Sequence, residues 1–184
     1  RSKIASGDRA LALKEFKMDI KKKTLFVFGG SQGSTILNKS LESIINKFDN
    51  QSIQVLWQTG DRDYNKYRKF KDHTIKIVPF INDMAAAYAL SDLVVCRSGA
   101  LTLSEVTTCG KPTILVPFAA AAGNHQMKNA ETLYQAGASI LIEEKDLNSN
   151  KLFKNINYLI NNKNTLEKMS VAAKALGKPN ATKI

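Results

Sequence analysis

Six short apolar runs, each followed by a stretch of helical pattern, constrain this chain more than any other feature. The first is Thr24-Leu25-Phe26-Val27-Phe28. A continuous apolar run of that kind suits a strand buried on both faces, because neither face meets water. Five more follow at residues 53–57, 75–78, 93–96, 113–116 and 139–142. After the first strand, Ile36, Leu37, Leu41, Ile44, Ile45 and Phe48 fall on one face of a helix. Further helical patterns cover 64–70, 84–90, 102–108 and 126–135. Past Asp146 the strands stop and two amphipathic helices remain. Leu152, Phe153, Ile156, Leu159 and Ile160 mark one; Leu166, Met169, Ala173 and Leu176 mark the other, which Gly177 and Pro179 end. This alternation predicts an α/β fold with a Rossmann-like, doubly wound parallel sheet. Residues 1–23 read as a linker and lead-in, and 24–184 as the domain proper.

A chain of 184 residues with 43% hydrophobic content can bury one sizeable core, which excludes disorder. Cys96 and Cys109 are the only cysteines and lack metal-ligand spacing, so neither a disulfide scaffold nor a metal site is expected, and no cofactor is implied. No apolar run approaches the length of a membrane span and no secretory signal precedes the first strand, so a soluble, intracellular domain is expected. The net charge of +11 raises the question of a polyanionic partner. Residues 1–23 carry eight Lys/Arg against three Asp/Glu, residues 151–184 carry seven against one, and residues 24–150 carry twelve of each. A nucleic-acid groove would place basic residues on the folded binding face, interleaved with aromatics. The flanking excess reads instead as solvated ends, with a membrane-facing or partner-facing role as the alternative. No specific nucleic-acid partner is expected.

In doubly wound sheets, ligands bind beyond the carboxyl ends of the strands. Four turns there carry candidate chemistry. Gly29-Gly30-Ser31-Gln32-Gly33-Ser34 follows the first strand and opens a helix. Glycines allow close backbone approach, and helix-start amides favour an anion. The turn is neither a Walker A loop nor a dinucleotide fingerprint. Arg97-Ser98-Gly99-Ala100-Leu101-Thr102-Leu103-Ser104-Glu105 repeats the device after the fourth strand. Glu105 suits either a ribose diol or a first-turn position favoured by the helix dipole. Arg97 suits either a phosphate or a surface acid. Asn124-His125-Gln126 offers side-chain amides that read hydroxyls. Phe80-Ile81-Asn82-Asp83-Met84 pairs an apolar slot, suited to a flat base, with a helix cap at Asn82 or Asp83. There is no Ser/His/Asp set and no convincing carboxylate pair. Taken alone, the glycine turn would equally suit an ordinary strand-to-helix connection, and the 80–84 turn would better suit an ordinary capped helix start.

Taken in order and at these spacings, the turns resemble the C-terminal domain of the MurG-type N-acetylglucosaminyltransferases, one half of a two-domain GT-B fold. The matching stretches are 28–34, 79–85, 96–105 and 124–130, spread across most of residues 24–140. The resemblance implies transfer of N-acetylglucosamine, with inversion, from its UDP sugar to a lipid-linked muramyl-pentapeptide. That reaction serves peptidoglycan synthesis at the cytoplasmic side of the bacterial plasma membrane, where the enzyme is peripheral. It further implies that Ile81 presents backbone groups to uracil, with Phe80 and Met84 shaping the slot. Glu105 would bind the ribose. Ser31 and the amides of Ala100, Leu101, Thr102 and Leu103, with Ser104 beside them, would hold the diphosphate. Gln126, with His125, would read the sugar. Arg1 matches the linker arginine that approaches the phosphates.

The chain begins at an arginine, without the half that supplies the acceptor site and the catalytic base. It ends at 180–184, where the family continues into a last helix. An excised donor domain is therefore expected, binding UDP-N-acetylglucosamine weakly and turning nothing over alone. Two alternatives stand: a related UDP-sugar enzyme, such as an epimerase or a lipid galactosyltransferase, and a non-catalytic nucleotide-binding module. Gln126 with Asn129 separates the enzyme from the module, which needs no sugar reader.

Overall fold

The computed structural model describes residues 3–48 and 52–177. Six parallel strands form one sheet: β1 (Lys23–Phe28), β2 (Ile53–Gln58), β3 (Ile75–Val78), β4 (Leu93–Cys96), β5 (Thr113–Leu115) and β6 (Ser139–Leu141). Their order is β3-β2-β1-β4-β5-β6, with Leu25 in register between Val55 and Leu93. The chain runs outward from β1 to β3 and then returns to the other side of β1. The order therefore reverses between β1 and β4, and a crevice opens there at the carboxyl ends.

The helices are α1 (Arg9–Glu15), α2 (Thr35–Glu42), α3 (Asp61–Tyr67), α4 (Met84–Leu90), α5 (Ala100–Thr108), α6 (His125–Gln135), α7 (Ser149–Ile160) and α8 (Lys163–Leu176). They cover both faces of the sheet. One layer packs Leu25, Val27, Val55, Trp57 and Val95 against α2, α7 and the start of α8. The other packs Phe26, Phe28, Val94 and Cys96 against α1, α4, α5 and α6. Alternate residues of each strand thus enter opposite layers, which is why the strands read as unbroken apolar runs. No helix among the described residues is long and apolar enough to cross a membrane.

Three details differ from the sequence reading. The helix expected across 36–48 breaks after Glu42, where the Ser43 hydroxyl turns back to the Ser40 carbonyl at 2.9 Å, and Ile45–Phe48 continues as a 3-10 turn. The helix expected at 64–70 starts earlier, behind Gly60, and tightens into a 3-10 turn at Arg68–Phe70. Within the stretch read as a lead-in, α1 buries Ala12 and Leu13, while Gly7 lies so close to α4 that a Cβ would sit 2.3 Å from the Ala85 carbonyl oxygen. Some of the flanking charge is not merely solvated. Arg9 donates to the Leu90 carbonyl and to Asp92, and Lys23 pairs with the same carboxylate.

Candidate functional site

The Gly29–Ser34 turn begins where β1 ends. Gly30 adopts φ +90° and Gly33 φ +76°, a region that side-chain-bearing residues rarely enter. At Gly33 a Cβ would also lie 2.1 Å from the Thr59 carbonyl oxygen, so the turn rests backbone to backbone on the exit of β2. Gly33 N–H closes the turn onto the Gly30 carbonyl at 3.1 Å, and the Ser34 hydroxyl caps α2. Ser31 is exposed at its tip.

Across the crevice, β4 ends in Arg97-Ser98-Gly99 and α5 begins at Ala100. Gly99 brings no capping side chain, so the first-turn amides of Ala100, Leu101 and Thr102 have no partner among the described residues. Three such donors at the positive end of a helix suit an anion. The expected fourth amide is not available, because Leu103 N–H donates to the Gly99 carbonyl at 3.0 Å. The Leu103 side chain is buried, and the exposed Ser104 gives its carbonyl to the hydroxyls of Thr107 and Thr108.

Between these turns lies a cavity of about 720 Å³, lined by Gly29, Gly30, Gly33, Gly99, Thr102 and Gln126 among others. Lys39, Arg62 and Arg97 bring positive charge to it, and Glu144 a carboxylate. Of the side chains singled out in the sequence, Arg97, Thr102 and Gln126 line this cavity, whereas Ser31, Phe80, Ile81, Met84, Ala100, Leu101, Glu105 and His125 do not. Phe80 and Ile81 belong to the neighbouring turn after β3, Met84 opens α4, and Glu105 lies in the body of α5. Ile81 is buried and Phe80 is 47% exposed. Asp83, rather than Asn82, caps α4 by accepting from Ala86 N–H at 2.9 Å. His125 is exposed at the first turn of α6, and Arg1 lies outside the described residues.

Several side chains have settled partners. Ile81 N–H donates to Gln58 Oε1 at 2.8 Å, which leaves its carbonyl as the backbone group able to meet a base. Gln58 Nε2 donates to the Gly30 carbonyl at 3.0 Å. Glu105 stands in the second turn of α5, so the first-turn dipole account does not apply to it. Its Oε2 accepts from the Tyr88 hydroxyl at 3.0 Å, and Tyr88 is itself packed edge-on against Phe26 and Phe28. Gln126 Oε1 accepts from Phe118 N–H at 3.0 Å, leaving Nε2 as the group able to donate to a ligand. Asn129 Nδ2 donates to the Ser98 carbonyl at 3.1 Å, and Ser98 Oγ to the Gln126 carbonyl at 2.6 Å, so these bonds hold α6 to the β4 turn.

Arg97 resolves its two alternatives in favour of an acid, but a partly buried one. Its Nη1 donates to the carbonyls of Val116 and Pro117 and to Glu144 Oε2, and its guanidinium lies 5.3 Å from the Phe118 ring centroid. Burial alone would raise the Glu144 carboxyl, but hydrogen bonds from Ala119 N–H and Arg97, with the Arg97 charge, outweigh it and hold the group below its usual range. Gln58 and Tyr88 were not singled out in the sequence. Gln58 carried a faint signal, as an amide directly after an apolar strand run at the ligand end of the sheet. Tyr88 read as an ordinary helix residue. Among the described residues no group of three or more His, Cys, Asp or Glu could hold a metal ion.

The architecture and the turn sequences have known counterparts. A UDP-N-acetylglucosamine–N-acetylmuramyl-(pentapeptide) pyrophosphoryl-undecaprenol N-acetylglucosamine transferase of Anaeromyxobacter sp. (strain K) is 48% identical over 164 residues, covering 86% of this chain and 43% of the relative. The transferase of the same name from Finegoldia magna is 42% identical over 176 residues, covering 94% and 48%. The crystal structure of Acinetobacter baumannii MurG superimposes with a TM-score of 0.80 at 29% identity, covering 95% of this chain and 51% of that one. The chain thus spans about half the length of the relatives it matches. Residues 24–183 match the glycosyltransferase family 28 C-terminal domain, and the chain belongs to that family.

Proposed function

We propose that this chain is the donor-nucleotide half of an inverting transferase that moves N-acetylglucosamine from UDP-N-acetylglucosamine to a lipid-linked muramyl-pentapeptide in peptidoglycan synthesis. The observation that carries this reading is the row of unpartnered amides at Ala100, Leu101 and Thr102, facing the glycine turn across the sheet's reversal point. A diphosphate needs many donors and little else, and backbone amides supply them without the cost of ordering long side chains. The Ser31 turn completes that cradle.

The remaining parts of the nucleotide follow from the neighbouring groups. The free Ile81 carbonyl is an acceptor, suited to the N3–H of uracil and unsuited to cytosine, whose N3 is itself an acceptor. Phe80 and Met84 offer apolar walls to the base. Glu105, steadied by Tyr88, retains acceptor capacity for the ribose hydroxyls. We assign Gln126 Nε2 and the exposed His125 to the sugar, and Arg1 to the phosphates. On this reading residues 24–184 are the donor-binding unit and residues 1–23 lead into it. The acceptor site, the catalytic base and the contact with the cytoplasmic face of the plasma membrane belong to a partner half. The acceptor attacks the anomeric carbon from the side opposite UDP, and the amides stabilise the negative charge that gathers on the departing diphosphate.

Calorimetry with UDP, CDP and UDP-N-acetylglucosamine tests the reading. UDP should bind at least about tenfold more tightly than CDP, the effect of one mismatched buried hydrogen bond. The acetylated sugar should add affinity that Gln126→Ala removes. Equal binding of UDP and CDP would refute the base assignment. Sugar transfer to a lipid-linked acceptor by the chain alone would refute the division of labour.

A further inference from the structure

Gln58 is the last residue of β2 and is 2% exposed, yet neither of its polar atoms serves the core. Its Nε2 donates to the carbonyl of Gly30 at 3.0 Å, and its Oε1 accepts from the N–H of Ile81 at 2.8 Å. One planar amide therefore joins the turn assigned to the diphosphate to the turn assigned to the base. These turns leave different strands, β1 and β3, and β2 lies between them.

Peptide geometry gives each bond a consequence. The Gly30 carbonyl accepts from both Gly33 N–H and Gln58 Nε2, which satisfies both of its lone pairs toward the protein. In a trans peptide the following N–H points the opposite way. Gln58 thereby fixes the N–H of Ser31 to point away from its own side-chain amide. At the other end, binding the N–H of Ile81 turns the Phe80 carbonyl away from Gln58. It also fixes the plane of the peptide that precedes the Ile81 carbonyl.

We infer that Gln58 is a positioning residue that couples recognition of the base to recognition of the diphosphate. The inference rests on the nucleotide reading above. Gln58 need not touch the ligand. Because its two polar atoms share one rigid plane, settling the 79–83 turn onto a base fixes the amide, and the fixed amide holds the Gly30 carbonyl and so the Ser31 N–H. The second half of the nucleotide then meets a site already ordered by the first.

The test is an NMR titration of the nitrogen-15-labelled 184-residue chain with inorganic pyrophosphate, with and without saturating uridine, for the wild type and for Gln58→Met. Methionine matches the volume and removes both hydrogen bonds. In the wild type uridine should tighten pyrophosphate binding about fivefold or more. In Q58M each ligand should still bind, but the factor should fall to within about twofold of unity. A purely structural role would lower the melting temperature and both affinities while leaving that factor unchanged, and this outcome would overturn the inference. Should Q58M fail to fold, the wild type carries the test alone. Uridine, which has no phosphate, should shift the Ser31 amide and the Gln58 Nε2 resonances, and shifts confined to residues 79–84 would overturn the inference. Failure of the wild type to bind UDP overturns the nucleotide reading and this inference with it. UDP binding without coupling overturns this inference alone.

Discussion

Replacing Arg97 by methionine keeps an aliphatic stem and removes a guanidinium that holds three oxygens, on Val116, Pro117 and Glu144, all within 3.1 Å. The Arg97 and Glu144 side chains are 10% and 20% exposed. Deleting one partner of a buried ion pair costs about 3–5 kcal/mol, because the other charge is left without compensation. Here Glu144 keeps Ala119 N–H at 2.9 Å and is partly open to water, so the cost falls to the bottom of that range or just below it, about 2–3 kcal/mol. In a domain of this size each kcal/mol lowers Tm by about 2–4 °C, so the expected fall is about 5–10 °C. Thermal unfolding followed by circular dichroism at pH 7 measures it. The double variant R97M/E144M, which leaves no orphaned carboxylate, should recover a substantial part of the loss. UDP affinity separates this account from direct phosphate contact. R97M should bind UDP within about threefold of the wild type at 25 °C, a small fraction of the order-of-magnitude loss typical of a deleted charge-assisted contact. A Tm within about 2 °C of the wild type would refute the structural assignment, since even 1 kcal/mol exceeds that shift. A large affinity loss at unchanged Tm would make Arg97 a ligand group.

Gly33→Ala should abolish UDP binding and destabilise the chain by about 2 kcal/mol or more, because the new methyl meets the Thr59 carbonyl at a backbone angle unsuited to alanine. Denaturant unfolding and calorimetry check the two effects, and a stable variant with normal affinity would show that the turn does not need its present shape. Replacing Lys21, Lys22 and Lys23 with glutamine should leave UDP affinity within about twofold, since the Lys23–Asp92 pair is half exposed and such pairs contribute about 0–1 kcal/mol. Stability should decline on acidification. Glu144, Asp63 and Asp72 are each held below their ordinary values, burial being outweighed by hydrogen bonds and nearby positive charge. A group with a depressed folded pKa stabilises above its unfolded value, so that contribution is complete at neutral pH. It begins to fall below about pH 4.5 for Glu144 and 3.8 for the aspartates and is lost as pH drops through the folded values. Tm measured from pH 7 to 3 should follow this course, with a shallower dependence in E144Q.

The sheet was legible because a parallel strand buried on both faces leaves an unmistakable trace. The runs at 75–78 and 93–96 match β3 and β4 residue for residue, and the others differ by a residue at an end. The start of α4 was legible from its capping residue, whereas α3 and α5 begin two to three residues before their apolar pattern does, directly behind Gly60 and Gly99. Buried polar partners were not, because they depend on register across the sheet. Trp57 Nε1 donates to Asn38 Oδ1, while Asn38 Nδ2 donates to Asp63 and to the Thr59 carbonyl. No local pattern links those four positions. The same holds for Gln58 with Ile81 and for Tyr88 with Glu105, which meet only after β3 and β4 have taken their places. The flanking charge was misleading in a related way. Counting lysines and arginines reveals their excess but not which of them, like Arg9, reach across the fold to a carboxylate.

Asp92 accepts from Arg9, from Lys23 and from the Thr24 amide, and its own N–H donates to the Thr24 carbonyl. It sits just before β4, at the amino-terminal edge of the sheet and a full strand length from the glycine turns. The protein thus has one cross-chain fastening at the pole opposite its open amides. Variation in the ligand turns can alter what is recognised without undoing the fastening. Equally, a change at Asp92 can lower the melting point of the domain while its preference among nucleotides stays as it was. Selection on endurance can then act at that rim and leave the recognition rim of the same six strands untouched.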